Sequence, residues 1–208
     1  MSLEGATFLR RPTIFGALTR PQTLTGSKVR LRPKRLQDAV NDYSWRCDAE
    51  LCRLDAAVPI LCSFREFLEN YVEELHRPSL IYRFAIETLD GKHIGNCSYF
   101  NIDEAKSEAE MGIMLGDRAY WNHGYGTDAI LTSLNHMFSQ TKLERIHLKT
   151  LSWNFRAQKC FQKCGFVPCG QLIRGDHTFI IMEIHRSAEP QRQTRLERNL
   201  NNGTEDKG

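Results

Sequence analysis

Between Lys28 and Ile184 the apolar positions change period several times, and each change marks an element. Lys28-Val-Arg-Leu-Arg-Pro33 alternates apolar and charged residues and stops at proline, the pattern of a half-buried first strand. Leu36 to Trp45 has helical spacing, and Ser63 to Leu75 opens on an N-cap serine and lines Phe67, Tyr71 and Leu75 along one stripe, so two helices are predicted. Between them, Asp48 to Pro59 carries acidic residues with little periodicity and reads as a connection, the segment most open to substrate specificity. Tyr82 to Leu89 and His93 to Phe100 flank Asp90-Gly91-Lys92 and form a predicted hairpin with an Asp-Gly turn. After the polar turn Asp103 to Ser107, a third strand runs from Glu108 to Leu115. A helix following Gly126 carries Ala129, Ile130, Leu131, Leu134, Met137 and Phe138, and leads to a strand at Ile146 to Leu151 and a further helix at Asn154 to Cys164. Phe166 to Ile173 and Thr178 to Ile184 finish the series around Arg174-Gly175-Asp176. This order predicts an α+β domain with a mixed, mostly antiparallel sheet.

The ends of the chain break the pattern. Residues 1–25 hold only short apolar pieces, with no secretory-length hydrophobic core, and read as an N-terminal extension. Residues 186–208 have Leu196 and Leu200 as their only large aliphatics and read as a flexible polar tail, with a short helix around Gln191 to Leu200 used in homodimer contacts as the alternative. That leaves one domain over residues 26–185. Of 208 residues, 41% are hydrophobic and 25% charged, which suits a soluble globular protein, and no run reaches membrane-spanning length. The net charge of +3 lies largely in the two ends and is too small to imply nucleic acid; no specific nucleic-acid binding is expected. Seven cysteines without a Cys-x-x-Cys pair read as reduced thiols of a cytoplasmic protein, with neither disulfides nor a metal site expected.

The stretch with the most chemistry is Met111 to Ala129: a strand, a short arm, the glycine pair Gly124-Tyr125-Gly126, and the start of a helix. Glycines before a helix let the backbone approach a ligand, and the free amides of the first helical turn suit phosphate. Gly126-Thr127-Asp128 lacks the lysine of a Walker loop, and two glycines do not make the dinucleotide fingerprint. Further on, Asn154 is an N-cap, Ala157, Cys160, Phe161 and Cys164 fall at helical spacing, and Gly165 sits at a left-handed C-cap.

Together, Tyr120-Trp-Asn-His-Gly-Tyr-Gly-Thr-Asp-Ala129 and Asn154-x-x-Ala-x-x-x-Phe-x-x-x-Gly-Phe166 resemble the GNAT superfamily of acetyl-coenzyme A-dependent N-acetyltransferases, nearest the branch that acetylates ribosomal-protein N-termini. The resemblance spans about Gly26 to Ile184. It implies a sheet splayed between its fourth and fifth strands, and acetyl-coenzyme A as co-substrate. It also implies that Ile113, Met114 and Leu115 pair through their backbone with the pantetheine arm, that the amides of His123, Gly124, Tyr125, Gly126 and Thr127 bind pyrophosphate, and that Asn154 and Arg156 contact the cofactor. The ordinary readings of these residues stay open: core packing for Ile113 and Leu115, a helix cap for Asn154, a solvated surface arginine for Arg156.

Two positions depart from the family. Trp121 replaces a frequent arginine or glutamine, and Phe161 replaces a tyrosine that protonates the leaving thiolate in many members. Phenylalanine donates no proton, so water, Ser152 or no group serves as acid. For the base, Glu108 and Glu110 share one strand face, with His147 and His123 behind; Glu110, before the cofactor-pairing residues, is the first choice, against a plain exposed glutamate. The expected reaction is direct attack of a primary amine, from a protein N-terminus or a small molecule, on the thioester in a ternary complex. The competing class is a non-catalytic module that senses acetyl-coenzyme A or binds protein.

Overall fold

The computed structural model describes residues 22–77 and 81–186; residues 1–21 of the predicted extension and all of the predicted tail but Arg186 lie outside them, while residues 22–25 of that extension are described and include a strand. In chain order the elements are β1 (Leu24–Thr25), β2 (Val29–Pro33), α1 (Ala39–Cys47), α2 (Ala49–Leu54), α3 (Phe64–His76), β3 (Tyr82–Thr88), β4 (His93–Asp103), β5 (Glu108–Leu115), α4 (Tyr125–Gln140), β6 (Arg145–Leu151), α5 (Phe155–Lys163), β7 (Val167–Arg174) and β8 (His177–His185). One eight-stranded sheet runs in the order β1-β2-β3-β4-β5-β6-β8-β7. Every pairing is antiparallel except β5 with β6, which are parallel because α4 crosses between them. That pair holds only from Glu108–Arg145 to Glu110–His147. Beyond it the two strands diverge while β5 stays paired to β4 as far as Leu115. This is the expected splay, and counted from β2 it falls between the fourth and fifth strands.

The core follows the alternation. Val29, Leu31, Phe84, Ile86, Ala109 and Met111 project from the sheet onto Ile130, Leu134, Met137 and Phe138 of α4 and Phe161 of α5. Under α1 the opposite face is charged rather than apolar. Arg32, 5% exposed, donates from both terminal nitrogens to Asp38 at 2.8 Å and from Nε to Glu87. Lys34 pairs with Asp42 at 2.6 Å, and Asn96 donates to the same carboxylate at 2.7 Å. Buried charges persist only when paired and hydrogen-bonded, so this network fixes where the helices can lie on the sheet.

Four local features depart from the sequence reading. The connection at Asp48 to Pro59 contains α2, whose N-cap Asp48 accepts from the Leu51 amide at 2.9 Å. A two-residue strand, β1, precedes β2. β4 continues past Phe100 to Asp103 through a register shift in which Asn101 takes a left-handed φ of 50°. Arg186, the first residue of the predicted tail, is docked: its guanidinium donates to the carbonyls of Phe138, Thr141 and Leu143, where α4 leaves acceptors without helical partners.

The start of α4 is tied to the start of β2. The Asp128 carboxylate accepts from the backbone amides of Ser27 (3.1 Å), Lys28 (2.7 Å) and Val29 (3.0 Å). A Cβ on Gly26 would lie 2.3 Å from Thr132 Oγ1 and 2.5 Å from Asp128 Oδ2, so only glycine lets the chain pass this close. Asp128→Ala removes one acceptor for three amides, and is expected to cost about 1–3 kcal/mol in chemical denaturation. Asp128→Asn, which keeps an oxygen, should lose less; equal stability of the alanine variant and the parent would show that the clamp does not hold the helix.

Candidate active site

A cleft of about 480 Å³ opens where β5 and β6 part, bounded by β5, the turn before α4, α5 and α2. Eight of the ten residues expected at the cofactor line it: Ile113, Met114, Leu115, Gly124, Gly126, Thr127, Asn154 and Arg156. His123 and Tyr125 alternate with the lining glycines, His123 with its carbonyl accepting from Lys28 Nζ at 3.1 Å.

Each wall has a local cause. Gly124 is the N-cap of α4, in the left-handed region at φ 84°, and no side chain caps the helix. The first helical bond runs from Asp128 N to Gly124 O at 2.9 Å, which leaves the amides of Tyr125, Gly126 and Thr127 without helical acceptors. These donors, with the positive end of a sixteen-residue helix behind them, form an anion cradle. Gly126 is glycine for a different reason: a Cβ there would lie 3.5 Å from Leu115 Cδ1 and 3.6 Å from Cys160 Sγ, ordinary contacts, so its missing side chain serves openness and not strain. On the facing edge of β5, residues beyond Glu110 have no strand partner toward β6. Trp121 Nε1 donates to the Leu115 carbonyl at 2.8 Å, so the indole caps that edge at its lower end. The Arg156 guanidinium stacks 3.5 Å from the centre of the same ring, which holds its charge at the cleft.

Asn154 is a helix cap, its side chain accepting from the Ala157 amide at 3.2 Å, and it lines the cleft as well. Phe161 also faces the cleft, edge-on to Phe166 at 6.0 Å. Ser152 stands apart, outside the lining, with its backbone bonded to Thr178 and Gln158. α2 supplies Leu51 and Leu54, an apolar wall the sequence reading left as a connection. Cys160 was unanticipated too. Its thiol lies 3.4 Å from Thr127 Oγ1 and is drawn down to about 7, first by the Cys164 hydrogen bond, then against burial by Thr127 and the Lys163 and Arg156 charges.

The carboxylates sort themselves by partner. Glu108 is taken by Arg145 and Lys106. Glu110, 7% exposed, sits on the last paired rung of β5 and β6, at the apex of the splay. Lys149 Nζ lies 2.9 Å from both of its oxygens, Asn101 Nδ2 donates at 2.9 Å, and His147 Nε2 is 3.8 Å away. Burial alone would raise the Glu110 carboxyl, but the Lys149 and Asn101 hydrogen bonds outweigh it and hold the group below the usual glutamate range. Burial, aided by the Arg145 charge, keeps the His147 imidazole below its usual value and hence neutral around pH 7.

The acetyltransferase (GNAT) domain family matches residues 28–167. The chain belongs to this family. It is an acetyl-coenzyme A-dependent N-acetyltransferase, which places the enzyme above the sensing module. An uncharacterized N-acetyltransferase, p20, of Bacillus licheniformis is 25% identical over 154 residues, covering 73% of this chain and 85% of the relative. The fold is shared with a spermidine N-acetyltransferase of Vibrio cholerae solved with CoA and spermine, at a TM-score of 0.68 and 23% identity over 77% of this chain and 97% of that one. Mycobacterium smegmatis RimJ, solved with CoA-disulfide, also has a TM-score of 0.68, at 21% identity over 86% of this chain and 96% of that one. Among the described residues no helix is long and apolar enough to cross a membrane.

Because the Gly126 site has room for a side chain but opens on the cleft, Gly126→Val should leave the thermal transition nearly unchanged and weaken coenzyme A binding by ~10-fold or more in calorimetry. Undiminished affinity in the folded variant would move the phosphates away from this turn.

Proposed function

We propose that this GNAT enzyme acetylates a primary amine by direct attack in a ternary complex, with Glu110 as the base acting through a water molecule. The observation that carries the reading is the position of Glu110: an ionised carboxylate on the last rung before the strands part, three residues along β5 from Ile113 of the cleft lining, although Glu110 is not itself among the lining residues. Acetyl-coenzyme A supplies an activated acetyl thioester. The α4 amides and Arg156 would hold its phosphates, and the free edge of β5 would orient its amide-bearing arm toward Glu110. Glu110 would then take a proton from the incoming ammonium through water, so that the neutral amine forms the C–N bond as the C–S bond breaks. A carboxylate held this low is a weak base, and the relay by water fits it better than direct abstraction. Phe161 offers no proton, so the departing thiolate would take one from solvent.

For the acceptor, a peptide N-terminus is the favoured class, in keeping with the Tyr120 to Ala129 motif and the likeness to RimJ. The likeness to a spermidine N-acetyltransferase raises a polyamine as the other candidate. A polycation needs uncommitted carboxylates; Asp48, Glu50, Glu108 and Glu110 are each already held by an arginine or lysine, which leaves Asp55 of the cleft lining as the carboxylate such an acceptor would use. A cytoplasmic setting is supported by seven cysteines, none of them in a disulfide.

Glu110→Gln keeps the shape and the hydrogen bond to Asn101 but removes the base. Thiol release from acetyl-coenzyme A, with pooled free-N-terminus peptides or with spermidine, should fall ~10²-fold while coenzyme A affinity holds. An unchanged rate across the pH range would reject Glu110 and point to His147.

A further inference from the structure

The carboxylate at the apex of the splay is not open to the cleft on its own terms. Glu110 is buried, and Lys149, the more exposed partner with a side chain 32% accessible, spans both of its oxygens at 2.9 Å. Lys149 projects from β6 two residues beyond His147, the rung opposite Glu110, so the same parallel register that ends at the splay sets lysine against glutamate. Asn101 completes the grip from β4. Its left-handed backbone and the register shift after Phe100 turn its amide onto Oε2 at 2.9 Å. Three strands therefore converge on one carboxylate. A solvated surface glutamate would need none of this.

We propose that Lys149 is a positioning residue for the reaction: clamped across Glu110, it fixes the carboxylate at the apex of the splay and sets the pH below which acetyl transfer stops. The inference rests on the reading of Glu110 as the base. Lys149 forms no bond to substrate in this account; its ammonium compensates the burial of the carboxylate and holds both of its oxygens in place for the water that would relay the acceptor's proton.

The sign follows from the groups that face Glu110. Lys149 and His147 approach from β6, the neutral Asn101 from β4, and Glu108 on its own strand is neutralised by Arg145. His147 is kept neutral by burial, so Lys149 is the compensating cation at the carboxylate near neutral pH. Without it the burial of Glu110 is opposed only by Asn101 and the weaker influence of His147, its carboxyl rises, and the base is protonated at a pH where the parent enzyme still works. Lys149→Met keeps the length of the stem and removes the ammonium. Lys149→Arg keeps a cation that can present a pair of N–H donors to the carboxylate.

The test compares kcat/KM of each variant with the parent from pH 5.5 to 9, using thiol release from acetyl-coenzyme A with pooled free-N-terminus peptides and spermidine. Taking the ratio cancels the acceptor's own ionisation. For Lys149→Met the ratio should be within about threefold of one at the alkaline end and fall to about one tenth or below near pH 6, since each unit of carboxyl pKa is tenfold. Lys149→Arg should follow the parent, and Lys149→Met added to Glu110→Gln should show no pH-dependent loss. A flat ratio overturns the proposal, and carbon-13 carboxyl titration of glutamate-labelled protein shows why. If the Glu110 carboxyl stays where it was in the methionine variant, Lys149 does not control it, and the role of Glu110 stands. If the carboxyl rises while the ratio stays flat, Glu110 is not the base, and both readings fall together. Unchanged coenzyme A affinity in each variant checks that the cleft is intact.

Discussion

Everything that makes this fold chemically useful depends on two parallel strands ceasing to pair. β5 and β6 exchange backbone hydrogen bonds over three residues and then part. An unpaired strand edge inside a domain leaves amides and carbonyls that need partners, and the cleft beside it is where a ligand carrying amides of its own can provide them. The same parting makes buried Glu110 the last residue of β5 paired toward β6. α4 is the crossover that the parallel pair requires, so its N-terminus is delivered to the mouth of the cleft by the topology alone. Strand edge, helix terminus and carboxylate are three consequences of one interruption in the sheet.

The surrounding interactions hold that interruption open. Asp128 fastens the first turn of α4 to the start of β2, so the uncapped amides at Tyr125 to Thr127 stay fixed without being consumed by a capping side chain. Trp121 closes the far end of the β5 edge and stacks Arg156 against the cleft. The Arg32–Asp38–Glu87 network seats α1, from which α2 hangs as a wall. The Cys160 thiol is drawn toward neutrality in the same corner, chiefly by its hydrogen bond with Cys164 and then by the Thr127 hydroxyl and the Lys163 and Arg156 charges.

Much of this was readable along the chain because it is local. The alternation at Val29 and Leu31, the Asp90-Gly91 turn, and the helical stripe from Ala129 to Phe138 each declare an element within a dozen residues. The turn before α4 was legible because glycine spacing and the helix that follows are contiguous. Helix α2 was missed because six residues are too few to show a period, and only its cap, Asp48, advertised it. The left-handed turn at Asn101 left no signature beyond a residue type that tolerates it. The grip of Lys149 on Glu110 joins positions 39 residues apart through a strand register, which pattern along the sequence does not encode. So the residues that gather at the cleft were accessible to sequence reasoning, whereas the partners of Glu110 required the packed sheet.

The central claim is that the cofactor occupies the gap left by the parted strands, with its phosphates on the first turn of α4. Amide hydrogen exchange of the whole protein with and without coenzyme A tests it directly. The account predicts slowed exchange at Gly126 and Thr127 and along Ile113 to Leu115 of β5, with little change in the hairpin of β7 and β8. Unaltered exchange at those amides, with protection instead in the groove between Asn41 and Arg118, would contradict it.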